Sequence, residues 1–134
     1  MRLLRTILVA AALSLLLSAC GSATAGGGGT DANGCTAKGS TPNATATQVV
    51  KIIPDPNTVG AFTPQHITIA AGQAVEWDWQ DPNVQHTTTS DDQVTWDSCL
   101  QSQGAKFIVT FSKAGTYTYH CTIHPLMVGT VIVH

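Results

Sequence analysis

Charge is scarce in this sequence. Of 134 residues, six are Lys or Arg and eight are Asp or Glu. The basic residues are scattered and form no patch, which excludes the electrostatic footprint of a nucleic-acid-binding protein. No uninterrupted apolar run approaches the about 20 residues that a membrane-spanning helix needs. The longest apolar stretch, Ile7 to Leu17, is broken at Ser14. Nowhere in the chain is there a convincing apolar stripe at helical spacing, which argues against helical architectures. Methionine is nearly absent: Met127 is the only one besides the initiator.

What is present at the N-terminus is a short basic region, Met1-Arg2-Leu3-Leu4-Arg5, then the apolar stretch, then small residues. This is the pattern of a secretory signal. Leu17-Ser18-Ala19-Cys20 resembles a bacterial lipobox, which implies a signal peptide over 1–19 and a lipid on Cys20 as the first mature residue. An ordinary cleaved signal with a Cys near its cut site is the alternative. Cleavage there removes Arg2 and Arg5 and leaves four basic residues against eight acidic ones. Residues 20–46 are rich in Gly, Ser, Thr, Ala and Asn, with Gly26 to Gly29 in a row. Such a segment buries too little apolar surface to fold, and it is expected to be a flexible tether.

Residues 47–134 leave room for one small domain, and their periodicity is two. Val49 to Ile53 is a β-branched run that stops at Pro54-Asp55-Pro56-Asn57. A second stretch starts at Phe62 and alternates through Ile67 and Ile69 to Ala71-Gly72. Val75, Trp77 and Trp79 alternate with polar residues up to Asp81-Pro82-Asn83, and Phe107, Val109 and Phe111 form a further alternating run. The last two strands are expected over Thr116 to Cys121 and Val128 to Val133, with Asp91 to Gly104 as a long connection. Turn clusters at this spacing predict an all-β sandwich or barrel. In the strand ending at Cys121, residues Tyr117, Tyr119 and Cys121 share one face, so His120 points away from Cys121. The acidic residues Glu76, Asp78 and Asp81, then Asp91, Asp92 and Asp97, read as solvated loops; the alternative is a face that steers a basic partner.

The segment Cys121-Thr122-Ile123-His124-Pro125-Leu126-Met127 sets a thiolate, an imidazole and a thioether three residues apart. A Cys with two His and a weak axial Met is the ligand set of a blue-copper electron-transfer site. The missing imidazole must come from elsewhere, and His86 is the best candidate, with His66 and the terminal His134 as rivals. Cys121 ends one strand and Met127 opens the next, with Thr122 to Leu126 expected as a loop. A lipidated Cys20 and a metal-bound Cys121 leave Cys35 and Cys99. In an exported protein these are most simply paired as a disulfide; two free thiols or a link to another chain are the alternatives.

The run Gly115-Thr116-Tyr117-Thr118-Tyr119-His120-Cys121 through Met127-Val128-Gly129 resembles the C-terminal motif of the plastocyanin/azurin family of cupredoxins, and its Cys-x₂-His-x₂-Met spacing is most similar to amicyanins. Phe62-Thr63-Pro64 to Gly72, Val75-Glu76-Trp77 and His86-Thr87-Thr88-Thr89-Ser90-Asp91 are similar to upstream family segments. The resemblance spans Val49 to Val133. It implies a Greek-key β-sandwich of seven to eight strands holding one copper on His86, Cys121, His124 and Met127. Thr87 stands where many members carry Asn, which implies a weaker side-chain clamp between the ligand segments, although its backbone N–H remains free to reach the Cys121 sulfur. Ile123 stands where amicyanins and plastocyanins have Pro and restores an N–H that Pro lacks; donated to the thiolate, it would raise the reduction potential. Cys99 sits where similar sequences have Gly, in keeping with an added disulfide.

The function expected from these residues is one-electron transfer by copper cycling between Cu(I) and Cu(II). The carrier would be exported, lipid-anchored through Cys20 to the extracytoplasmic face of a bacterial membrane, and monomeric, with transient contacts to redox partner proteins. Pro125 and Leu126 beside His124 would form an apolar docking patch. A copper module for delivery or sequestration is the alternative, but delivery sites are usually rich in Met or His, and the mature chain has one Met. Four ligands leave no open position for a substrate, so enzyme activity is not expected.

Overall fold

The computed structural model describes residues 30–134. The signal peptide, Cys20 and the start of the tether lie outside the described residues. The elements in chain order are β1 (Ala46–Ile53), β2 (Ala61–Thr63), β3 (His66–Ile69), β4 (Ala74–Trp79), β5 (Thr89–Ser90), β6 (Lys106–Thr110), β7 (Gly115–Cys121) and β8 (His124–Val133). They form two four-stranded sheets, ordered β2-β1-β4-β6 and β3-β8-β7-β5. The pairs β1/β4 and β3/β8 are parallel and the others antiparallel. The result is the expected all-β Greek-key sandwich, with no helix among the described residues.

Alternation along each strand builds the core. Trp77 and Trp79 face inward from β4, Val50 and Ile52 from β1, and Tyr119 and Cys121 from β7. Phe62, Trp77 and Trp96 pack around Tyr119 with ring centroids 4.7, 5.3 and 5.8 Å away. Burying each such side chain is worth about 1.5–3 kcal/mol. Tyr119 crosses β8 at Gly129, its register partner. A Cβ at Gly129 would stand 2.3 Å from the Tyr119 ring, so this position admits only glycine while the ring stays in place.

Three expectations need correction. The stretch from Phe62 to Ile69 is two strands in different sheets: β2 pairs with β1 and β3 with β8. The chain breaks at Pro64, which has no N–H for a ladder and follows a cis peptide bond. The last strand begins at His124 and not at Val128, because Cys121 pairs directly with His124. The presumed loop is thus a tight turn at Thr122 and Ile123, and Pro125 to Met127 lie within β8. Finally, residues 30–45, expected as tether, lie against the domain. Lys38 exchanges backbone hydrogen bonds with Asp97, and the Thr41 N–H donates to the Ile108 carbonyl at the edge of β6. Cys35 is bonded to Cys99. A strap covers β6 because its polar groups find partners along that edge, which composition alone did not reveal.

Candidate metal centre

Two segments that carry candidate ligands meet at one end of the sandwich. The first leaves β4 at Trp79 and turns at Asp81-Pro82-Asn83. Asp81 Oδ1 accepts the N–H groups of Asn83 and Val84 at 2.8 and 3.2 Å, the local bond that makes Asp a turn former. The chain then reaches His86, whose backbone pairs with Gln101 in both directions. The Trp79 indole N–H donates to the His86 carbonyl at 2.9 Å. The second segment is the β7–β8 turn, which sets Cys121 and His124 opposite each other.

His86 and Cys121 are fully buried, Met127 is buried, and His124 is half-buried. The Nδ1 atoms of His86 and His124 are 3.0 Å apart. Cys121 Sγ lies 3.9 Å from His86 Nδ1 and 3.5 Å from His124 Nδ1. Bonds from nitrogen and thiolate sulfur to a small transition metal run about 2.0–2.3 Å, so two donors on one ion stand roughly 3–4 Å apart. The three separations fit a single shared ion, and the soft donor set suits copper. Met127 belongs to the same buried cluster as Cys121.

The rival histidines are elsewhere: His66 and His134 are exposed. His120 turns outward, as its strand position requires, and pairs with Asp91 at 2.6 Å.

The surroundings prepare the ligands. Burial opposes ionisation of the Cys121 thiol, but hydrogen bonds from His86 and from the N–H groups of Thr87 and Ile123 outweigh it and hold its pKa below the usual thiol value. The Thr87 N–H to Sγ distance is 3.4 Å. A stabilised thiolate is the form that binds metal. Burial and the positive charge of a protonated His86 lower the pKa of His124, and a neutral imidazole is the ligating form.

Two residues, Asp81 and Gly60, were not legible as part of the site. Asp81, read as solvated, is 2% exposed, and its Oδ2 lies 3.0 Å from His86 Nε2. Only the fold reveals this, since an Asp-Pro-Asn turn looks the same whether exposed or covered. Gly60, before β2, lies against the His86 ring, where an added Cβ would come within 2.3 Å of Cε1. Thr87, expected to clamp the two segments less strongly than Asn would, does join them through its side chain. Its Oγ1 accepts the Thr122 N–H at 2.9 Å and meets the Thr122 hydroxyl at 3.3 Å.

Residues 50–134 match the family model for copper binding proteins of the plastocyanin/azurin family. Amicyanin of Paracoccus versutus is 34% identical over 75 residues, 54% of this chain and 56% of that protein. Amicyanin of Paracoccus denitrificans is 59% identical over 27 residues, 20% of this chain and 21% of that protein. The matched segments thus span about half or less of these curated relatives. Among solved structures, a purple cupredoxin from Nitrosopumilus maritimus superposes with a TM-score of 0.53 at 31% identity, covering 63% of this chain and 98% of that one. With the model match extending from within β1 to the end of the sandwich, and with thiolate and imidazole donors gathered at the end where the motif falls, the chain belongs to the plastocyanin/azurin family of copper binding proteins.

Proposed function

We propose that this protein is an exported one-electron carrier with a mononuclear type 1 copper held by His86, Cys121, His124 and Met127. Copper supplies the Cu(I)/Cu(II) couple; the chain supplies a fixed set of donors that suits both states. The observation that carries this reading is the buried Cys121 sulfur within 3.9 Å of two imidazole nitrogens. The ligand set leaves no position for a substrate, in keeping with a carrier and not an enzyme. Burial of His86 and Cys121 disfavours the alternative of a delivery module, whose metal must exchange.

The least buried ligand segment is the route for the electron. His124 is half-buried, and Ile123 and Leu126 beside it are 47% and 71% exposed. An apolar rim around an exposed ligand edge suits brief redox encounters, whose interfaces fall below about 1,200 Å². A monomer touching redox partner proteins through this rim follows. The Cys35–Cys99 disulfide supports an oxidising compartment. Cleavage of a signal over 1–19 and lipidation of Cys20 would hold the domain at the membrane, with a tether shortened to the residues before the strap.

The test is an absorption spectrum of the purified protein with Cu(II), then with ascorbate. An intense red-region band that bleaches reversibly supports the proposal. Weak colour, or copper lost to a mild chelator, refutes it.

A further inference from the structure

We propose that Asp81 is a positioning residue that fixes His86 as an Nδ1 ligand and, as a buried anion, lowers the reduction potential of the copper centre. The inference rests on the proposed ligation of copper by His86.

The carboxylate meets two backbone donors and one imidazole nitrogen, and has no exposed edge. Its Oδ1 accepts the Asn83 and Val84 N–H groups, and its Oδ2 faces His86 Nε2 at 3.0 Å. The two side chains are 1% and 0% exposed. Oδ1 is taken up by two backbone donors, and of the two groups that share the remaining proton the imidazole is the more basic, so that proton sits on Nε2. Once a metal replaces the Nδ1 proton that the metal-free ring directs at Cys121, the neutral imidazole keeps its proton on Nε2 and its lone pair on Nδ1, the atom turned toward His124 and Cys121. The opposite tautomer would leave a buried carboxylate oxygen facing an unprotonated nitrogen. Gly60 leaves the space that the ring fills in this orientation. Asp81 therefore selects the ligand atom.

It also acts on charge. A carboxylate bonded to the far nitrogen of a metal-bound imidazole makes that ligand more basic. Its charge, shielded from water, favours the more highly charged metal state. Both effects stabilise Cu(II) over Cu(I) and oppose the N–H groups of Thr87 and Ile123, which draw charge from the thiolate. Partners of this kind change metal affinity about 10–100-fold when removed.

The experiment compares the wild type with Asp81→Asn, Asp81→Glu and Asp92→Asn, all copper-loaded. Asn at 81 retains Oδ1 for the turn and removes the charge. Asp92 provides the matched control, because its Oδ1 caps the Val94 and Thr95 N–H groups in the same way but on an exposed turn. Asp81→Asn is expected to raise the potential by at least about 59 mV, one tenfold change in the Cu(II)/Cu(I) affinity ratio for one electron. Asp92→Asn is expected to leave it unchanged, and Asp81→Glu to stay nearer the wild type than Asp81→Asn. In the Cu(I) wild type, proton NMR is expected to show a slowly exchanging His86 Nε2–H. An unchanged or lower potential in a blue Asp81→Asn protein overturns the inference. So does a fast-exchanging Nε2–H in the wild type, which decides the matter even if the variant does not fold. A wild type without the blue band refutes the copper ligation itself, a distinguishable result.

Discussion

Replacing Gly60 with Ala tests the packing around His86. The backbone at Gly60 is not left-handed, so alanine meets no positive-φ strain there, and the cost is steric. The new Cβ would lie 2.3 Å from His86 Cε1, 2.9 Å from Nε2 and 3.0 Å from Nδ1. The ring has no free direction of retreat, because Asp81 holds Nε2 and the ligand cluster lies at Nδ1. If the loop yields, the strain is that of an overpacked core, about 1–3 kcal/mol. If the ring yields, a buried hydrogen bond is lost, at about 1–3 kcal/mol, more for a charged partner. Either route gives about 2 kcal/mol, which lowers the melting temperature by about 10 °C in a domain of this size. Thermal unfolding of the copper-free protein, followed by tryptophan fluorescence, measures it. The same substitution in a His86→Ala background should cost less than about 0.5 kcal/mol, since the clash partner is gone and contacting residues couple. A Gly60→Ala protein that melts with the wild type, or an equal cost in both backgrounds, would refute the reasoning.

Two further outcomes follow from the site and the strap. Ile123→Pro removes an N–H that stabilises the Cys121 thiolate, so the reduction potential should fall; a potential unchanged or higher on voltammetry contradicts that role. Cys99→Ser opens a loop with a sequence separation of 64. It should cost at most about 4 kcal/mol on the chain-entropy view, with the copper spectrum preserved, because neither Cys35 nor Cys99 touches the ligands. A melting temperature equal to that of the wild type would show that the strap is not held by the disulfide.

Much of this fold could be read from residues alone because period-two patterns carry their own orientation. Val75, Trp77 and Trp79 identify a strand and its inner face at once, and the outward turn of His120 follows from the inward turn of Cys121. The candidate ligand motif could be singled out because three of its members are close in sequence. What escaped depends on contacts between distant segments. The two-residue β5 has too little pattern to detect. The strap over residues 30–45 looks like linker, since it docks through backbone hydrogen bonds of Lys38 and Thr41 that composition does not encode. Asp81 and Gly60 matter only because the sheet order β2-β1-β4-β6 brings the ends of β4 and the approach to β2 to the same imidazole.

The most direct test of the central claim is a crystal structure of the copper-loaded protein with anomalous data at the copper edge. The account predicts one peak within bonding distance of Cys121 Sγ, His86 Nδ1 and His124 Nδ1, with Met127 sulfur on the axial side and Asp81 on His86 Nε2. A peak bound through His66, His120 or His134, or ligation of His86 through Nε2, would contradict it.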